Sequence, residues 1–162
     1  DKLVLDLRGN PGGYLEAAVD MASWFLPKDT VVVREEYGKG QGEDVERSRG
    51  YATFTNKLKM VILVDGGSAS ASEILAGALR EQKNVPLVGM KTFGKGSVQE
   101  LIDITDETAL KVTVARWLTP NGNSISEKGL APDYKVEITK SDIENDRDPQ
   151  LNKAIEIVEK DI

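Results

Sequence analysis

The feature that most constrains the fold is an uninterrupted apolar run, MVILVD, at residues 60–65. Such a run is typical of a parallel strand that is buried on both faces. Gly66 and Gly67 follow it, and the chain then places apolar residues at helical spacing. These residues are Ala71, Ile74, Leu75, Ala78 and Leu79. The pattern predicts a strand, a glycine turn and a helix in the middle of the chain.

Other segments repeat this order of apolar strand and helix. LVLDLR at residues 3–8 leads into the glycine turn NPGG at 10–13, and VPLVGM at 85–90 has the composition of another buried strand. Helical spacing follows the first turn at Leu15, Val19, Ala22 and Leu26. A last helix is expected to begin after the N-cap pair Asp148 and Pro149. Its expected buried face is Leu151, Ala154, Ile155 and Val158.

The remaining patterns predict strands and a projecting β-ribbon. TVVVREEY at residues 30–37 is rich in β-branched residues, and GKGQGE at 38–43 has the composition of a reversing turn. SVQELIDI at 97–104 is another expected strand, and ALKVTVARWL at 109–118 alternates with a period of two. Because strands alternate with helices along the chain, the fold class should be α/β, with a layered core.

The size and charge of the chain limit its domain count and its partners. At 162 residues and 40% apolar content, residues 1–162 are expected to form one domain. The net charge of −6 disfavours nucleic acid as a partner. No run of about 18 apolar residues occurs, so we expect no membrane contact from this segment. The start at Asp1, directly before an apolar run, is what we expect of an excised fragment.

The chain contains neither histidine nor cysteine, which restricts the chemistry that it can perform. A Ser-His-Asp triad, a Cys-His pair and a thiolate or imidazole metal site are all excluded. If the chain is a hydrolase with a covalent nucleophile, that nucleophile is a serine or a threonine. Its base must then be a lysine or a carboxylate. We expect no cofactor and no metal.

The motif GGSASASEI at residues 66–74 places three serines where the central strand should give way to a helix. Free N–H groups and the helix dipole at such a junction would stabilise an oxyanion. The simpler interpretation is a capping box formed by Ser70 and Glu73. The run of small residues favours chemistry, because a cap needs only one hydroxyl, whereas small side chains leave room for a substrate backbone.

The motif TFGKGSVQ at residues 92–99 places Lys95 between two glycines, with no carboxylate within three residues. A lysine accepts a proton only in its neutral form, which burial away from acids favours, so a buried Lys95 could act as a base. It could instead be an exposed loop lysine. Residues 89–95 also match the start of a phosphate-binding loop, but Gly96 stands where that loop needs a serine or threonine, and a strand rather than a helix is expected next.

The turn NPGG offers a further place where backbone N–H groups point outward, at Gly12 and Gly13. The alternative is a strand-to-helix turn that needs glycine only for its backbone conformation.

Taken together, these motifs resemble those of the carboxyl-terminal processing proteases, the tail-specific peptidases of family S41. The likeness extends from Asp1 to about Ala154 and keeps the family's order. Its motifs are LVLDLRGNPGG, GSASASEILAGAL, VGMKTFGKGSVQ, WLTPNG, GLAPD and DPQLNKA. The resemblance implies a layered core of β-β-α units similar to ClpP and crotonase-type domains. It also implies a PDZ domain upstream of the DLRGNPGG segment, which this sequence does not contain.

The resemblance also implies a role for each site residue. Ser70 is the expected nucleophile, Lys95, 25 positions later, is the expected base, and Gln99 is expected to orient the lysine. The expected oxyanion donors are the amide of Ala71 and that of a glycine in NPGG, with Gly13 preferred over Gly12. The reaction would be peptide hydrolysis through an acyl-enzyme.

Partners and location follow from the same resemblance. Protein or peptide substrates should bind as extended strands, in an extracytoplasmic compartment such as the periplasm, the cell envelope, the exterior or a chloroplast lumen. The sequence leaves the natural substrate and the oligomeric state open. It also leaves open a module of the same fold that binds peptides without cutting them.

Overall fold

The computed structural model describes residues 1–38, 40–51, 53–54 and 57–160. Strands and helices alternate along the chain, and the predicted layered α/β core is confirmed. In chain order the elements are β1 (Lys2–Asp6), α1 (Leu15–Ser23), β2 (Val31–Glu36), β3 (Glu43–Arg47), β4 (Lys59–Val64), α2 (Ala71–Lys83), β5 (Leu87–Gly89), β6 (Ser97–Thr105), β7 (Thr108–Leu118), β8 (Tyr134–Lys135), α3 (Lys140–Glu144) and α4 (Pro149–Glu159).

The first sheet is parallel and has the strand order β1-β4-β5-β8. Its strand β4 is the predicted apolar run, and residues 61–64 are completely buried. Ile62 and Val64 pack in one core cluster with α1 and α2, whereas Val61 and Leu63 pack in a second cluster with α4. Because side chains alternate along a strand, helices on both faces of the sheet require an apolar residue at every position of β4.

The second sheet is antiparallel and has the strand order β3-β2-β7-β6. The hairpin predicted over 30–43 is the β2–β3 pair, although residue 39 of its predicted turn lies outside the described residues. This hairpin is not the projecting ribbon that was predicted, because Val32 and Val33 of β2 are completely buried in the core. The longer β6–β7 hairpin projects instead, with Leu101 68% and Ile104 62% exposed.

The helices follow the predicted apolar patterns with two corrections. Leu26 is buried as expected but lies beyond α1, which ends at Ser23. All five residues of the predicted α2 stripe are buried. In α4, Ala154 and Val158 are buried as predicted, but Leu151 and Ile155 are 37% and 40% exposed. The buried face is narrower because residues four positions apart, including Gln150, meet the sheet.

Three loops meet at one edge of the parallel sheet, where β1, β4 and β5 end. The Asp65 carboxylate accepts hydrogen bonds from the amides of Gly9 and Gly67, each at 2.8 Å, and thereby joins the first two loops. The Phe93 amide donates to the Ser68 carbonyl at 3.0 Å and joins the third. Carboxyl ends of parallel strands share an edge, so these segments, distant in sequence, form one surface.

Candidate active site

Ser70 has an unusual backbone conformation at the junction between β4 and α2. It is the N-cap residue of α2, with φ 56° and ψ −120°. A positive φ is uncommon for a residue other than glycine, and such conformations occur often at functional sites. Ser70 is also partly exposed, and its neighbours Ala69 and Ser68 hydrogen-bond to the other two loops.

The two neighbouring serines have different environments from Ser70. Ser68 is completely buried, and its hydroxyl donates to the Leu7 carbonyl at 2.7 Å and accepts from the Asp65 amide at 2.9 Å. Ser72 is buried in the first turn of α2. Ser68 therefore joins β1 to β4, and only Ser70 of the three has the exposure that a nucleophile requires.

Lys95 lies in the loop between β5 and β6, and its side chain is exposed. Across the described part of the chain, its ammonium group makes no hydrogen bond or ion pair, including none to Ser70. The burial expected for this lysine is therefore wrong for this segment. The physical reason is that the loop is at the surface, and no described element covers it. The strand β6 after Lys95, in place of a helix, also rules out the phosphate-binding loop.

Glu73 connects the Ser70 loop to the Lys95 loop. Its side chain is completely buried, and its Oε2 accepts from the amides of Ser70 and Lys95, each at 2.9 Å. Its Oε1 accepts from the Gly94 amide at 2.7 Å and from the Thr92 hydroxyl at 2.5 Å. A carboxylate is a pure acceptor and can satisfy all four donors at once.

The sequence pattern indicated only part of this role for Glu73. Its spacing from Ser70 predicted a local capping contact, and the bond from the Ser70 amide is that contact. The bonds to the loop at 92–95 cross about twenty residues of sequence, so no local pattern could reveal them. The available signal was that Glu73 is the one charged residue in the stretch 71–79 of the sequence.

Gln99 lies on β6 opposite Thr113 and is exposed. In the ranges that the structure covers, its side chain has no hydrogen bond to Lys95. The structure thus places Gln99 on the strand that follows the lysine but does not bring the two side chains together.

The NPGG turn packs closely against the Ser70 loop. Gly12 has φ +89°, and a Cβ at this position would lie 2.5 Å from the Ala69 carbonyl oxygen and 2.7 Å from the Ala71 nitrogen. Only glycine permits this approach. The Asn10 carbonyl also accepts from the Ala69 amide at 3.0 Å. These contacts hold the turn beside the start of α2.

The amides in this region differ in their availability. The Gly12 amide is occupied because it donates to Asn10 Oδ1 at 2.9 Å. Within the described chain, the amides of Gly13 and Ala71 have no acceptor. Two free amides near a serine can bind the oxygen of a substrate carbonyl as it gains negative charge. This arrangement favours Gly13 over Gly12.

An apolar pocket of about 120 Å³ opens beside these amides. Gly12, Gly13 and Ala71 form part of its wall, and Met21 and Leu75 are among its apolar residues. Its lining includes no charged side chain. The pocket can therefore receive an uncharged side chain next to Ser70.

No helix in the described ranges combines the length and apolar character needed to span a bilayer.

Comparison with protein families gives an independent result. Residues 1–136 match the model of peptidase family S41. Among curated proteins, a probable CtpA-like serine protease of Staphylococcus haemolyticus is 46% identical over 134 residues, covering 83% of this chain and 27% of the relative. The carboxy-terminal processing protease CtpA of Bacillus subtilis is 44% identical over 137 residues, covering 83% of this chain and 28% of the relative.

Comparison with solved structures agrees. The photosystem II D1 C-terminal processing protease superposes with a TM-score of 0.76 at 38% identity, covering 84% of this chain and 34% of that protein. The chain therefore spans between about a quarter and a third of the length of these relatives.

Proposed function

The chain belongs to peptidase family S41, and we propose that it is the catalytic core of a serine endopeptidase that cleaves proteins near their carboxyl termini. One observation carries the proposal. A partly exposed serine with positive φ lies beside two free amides, and one buried carboxylate ties it to the loop of a lysine. Relatives named as carboxy-terminal processing proteases support the substrate class.

The proposed reaction is acyl transfer to Ser70. Neutral Lys95 takes the proton of the Ser70 hydroxyl as its oxygen attacks the peptide carbonyl. The amides of Gly13 and Ala71 bind the resulting oxyanion. The lysine gives the proton to the leaving amine, and the carbon–nitrogen bond breaks to leave an acyl-enzyme. Water, deprotonated by Lys95, then hydrolyses that ester.

The backbone of the site supports this mechanism, while the lysine side chain must still move. The amides of Ser70 and Lys95 lie within hydrogen-bond distance of one oxygen, so the two main chains are close neighbours. Rotation of an unpaired lysine side chain can bring its nitrogen to the serine hydroxyl. In the proposal, Gln99 holds the lysine once it is in place.

The substrate should be an extended peptide whose uncharged side chain enters the pocket beside Gly13. Peptide groups in extended form can add to a sheet edge, as in other strand-recognising domains. We propose an extracytoplasmic location for the whole protein, in keeping with a carboxyl-terminal processing function. No cofactor is required by the proposed reaction.

A second candidate function is peptide binding without cleavage. The exposed Lys95, which makes no hydrogen bond to Ser70 in the described residues, favours it. In that case the free amides and the pocket would hold a peptide, but the serine would not be activated.

A serine-directed fluorophosphonate probe, applied to the full-length protein, tests the proposal. We expect labelling of the parent and of Ser72→Ala, and none of Ser70→Ala, because only an activated serine reacts with the probe. Peptide hydrolysis should show the same order. A folded parent that binds peptide but is neither labelled nor active would establish the second candidate instead.

A further inference from the structure

A second recess, of about 620 Å³, borders the loop that carries Lys95. The two recesses share no lining residue. Gly94 and Ser97, which flank the Lys95–Gly96 pair, contribute to the second recess. Its other walls come from β7 and from the loop at 124–128. We call it the polar recess.

The polar recess is attached firmly to the loop that carries Lys95. The Glu127 amide donates to the Gly94 carbonyl at 2.9 Å, and a Cβ on Gly96 would lie 2.4 Å from the Ser126 nitrogen. The Trp117 amide donates to the Gly96 carbonyl at 2.7 Å. A ligand bound in the polar recess would therefore keep a fixed position relative to the main chain of Lys95.

The charges of the polar recess favour an anion. Arg116 and Lys128 line it, and Glu127 is its one carboxylate, so the lining carries a net positive charge. In the part of the chain that the structure describes, neither cation has an ion-pair partner. Both side chains are therefore available to an anion that enters the recess.

Hydroxyl groups add donors to these cations. Ser97, Thr113, Ser124 and Ser126 belong to the same lining. The Ser126 hydroxyl oxygen is buried and has no hydrogen-bond partner among the described residues. A buried polar atom without a partner costs free energy, and a ligand oxygen nearby would remove that cost.

The proposed chemistry indicates which part of a substrate reaches the polar recess. The amides of Gly13 and Ala71 would bind the scissile carbonyl of the substrate. Because both residues line the apolar pocket, the acyl side of the peptide lies toward that pocket. The lysine gives its proton to the leaving amine, so the leaving segment must pass Lys95. Because the recess borders the Lys95 loop at Gly94 and Ser97, a segment that passes Lys95 can reach it.

We infer that the polar recess binds a carboxylate of the leaving segment, through Arg116 and Lys128, and so favours cleavage close to an acidic or free carboxyl end. This inference rests on the proposed peptidase function. The carboxylate is either the terminal α-carboxylate of a short tail or an acidic side chain. Arginine can hold either with two parallel hydrogen bonds, and lysine adds a point charge.

Peptide cleavage by the full-length enzyme tests this inference. Fluorogenic peptides would share one acyl side and differ in their leaving segments, with tails of about two to about eight extended residues. Each tail is made as a free acid, as a carboxyl-terminal amide and as an amide with one aspartate. We expect kcat/KM to be about tenfold higher for a carboxylate at the preferred position than for the plain amide. The free-acid and aspartate series identify the source of the carboxylate.

Variants of the recess separate this effect from any other recognition of the tail. Arg116→Ala with Lys128→Ala should abolish the preference while leaving kcat/KM for the plain amide nearly unchanged, and Arg116→Lys should retain part of it. Lys111→Ala, an exposed β7 lysine outside the recess, should keep the full preference. An undiminished preference in the Arg116 and Lys128 double variant, or none in the parent, would overturn the inference. The proposed function is judged separately, because it requires only that plain amides are cleaved and that Ser70→Ala does not cleave them.

Discussion

Ser70 and Lys95 donate their backbone amides to the same atom, Oε2 of Glu73, at 2.9 Å each. Two loops that follow different strands are thus joined by one buried carboxylate rather than by their own side chains. In the proposed mechanism the side chains of these loops must meet during the reaction. Glu73 would fix the separation of their main chains in advance and so reduce the motion required.

Glu73→Gln should therefore impair both activity and stability. In the variant, the amide side chain keeps one acceptor oxygen. Its NH₂ group faces the two donors that the second carboxylate oxygen satisfies in the parent. We expect a loss of about 1 to 3 kcal/mol in the free energy of unfolding. We also expect kcat/KM to fall by at least about tenfold, because misplacing catalytic groups by about an ångström is costly. Denaturant melts and peptide cleavage, at a temperature where the variant is folded, would measure the two effects.

Glu81→Gln is the matched control, since Glu81 belongs to the same helix. Its carboxylate accepts from the Thr119 hydroxyl, the Asn121 amide and the Asn123 side chain, away from the proposed site. This variant should lose stability but keep kcat/KM. Equal losses of activity in the two variants would show that Glu73 acts only through stability.

The glycines of the NPGG turn should differ in their tolerance of alanine. Gly12→Ala places a Cβ against the Ala69 carbonyl and the Ala71 amide, at a φ that alanine rarely adopts, and should displace the Ser70 loop. At Gly13 a Cβ has open space within 4 Å, and the backbone amide remains. We expect at least about a tenfold loss of kcat/KM for Gly12→Ala and a much smaller one for Gly13→Ala. The reverse order would contradict the packing described for the turn.

Ser70 and Lys95 should behave as one catalytic unit. Residues that act together give losses far from additive, so the double variant Ser70→Ala with Lys95→Ala should be about as inactive as either single variant. Gln99→Ala should lose less, because orienting a base contributes less than supplying one. Single-turnover cleavage by the full-length enzyme measures all four proteins. Losses that add in the double variant would mean that the two residues act independently.

Periodicity along the chain predicted much of the core. The sequence predicted the strands β4 and β5 and the buried stripe of α2. In each of these elements the buried residues recur at the period of the strand or helix, so the apolar pattern of the sequence matches the burial. α4 was predicted less well, since Leu151 and Ile155 match the helical period but lie at the margin of the contact with the sheet. A sequence gives the apolar face of a helix, whereas the width that becomes buried depends on its partner.

The site residues show the same limit. Ser70 was singled out because a strand-to-helix junction rich in small residues is a local pattern. The exposure of Lys95 depends on what covers its loop, which the local sequence does not specify. The connection through Glu73 joins residues that only the fold brings together. Roles assigned to Ser70, Lys95, Gln99 and the oxyanion amides stay predictions.

Arg8 links the end of β1 to the start of α4. Its guanidinium contacts the carboxylate of Asp6 at 2.7 Å and that of Asp148 at 2.8 Å, and it donates to Gln150 Oε1 at 3.1 Å. Asp148 is also the N-cap of α4, with a bond from the Leu151 amide at 2.9 Å. Hydrogen bonds from Arg8 hold the pKa of both Asp6 and Asp148 below the ordinary value for aspartate.

Arg8→Gln should destabilise the protein in a pH-dependent manner. A carboxyl group with a lowered folded pKa stabilises the native state above its unfolded pKa of about 3.9, and this contribution is lost as the pH falls through the folded value. We expect a difference in unfolding free energy between parent and variant of about 1 to 2 kcal/mol at neutral pH, a modest figure because Asp6 is half exposed and screened by water. The difference should shrink below about pH 4. Urea denaturation of both proteins across this range measures it, with Arg47→Gln, an exposed arginine bonded to the Asp29 carbonyl, as control. A gap that stays constant as the pH falls would mean that Arg8 stabilises the fold by packing rather than through the two carboxylates.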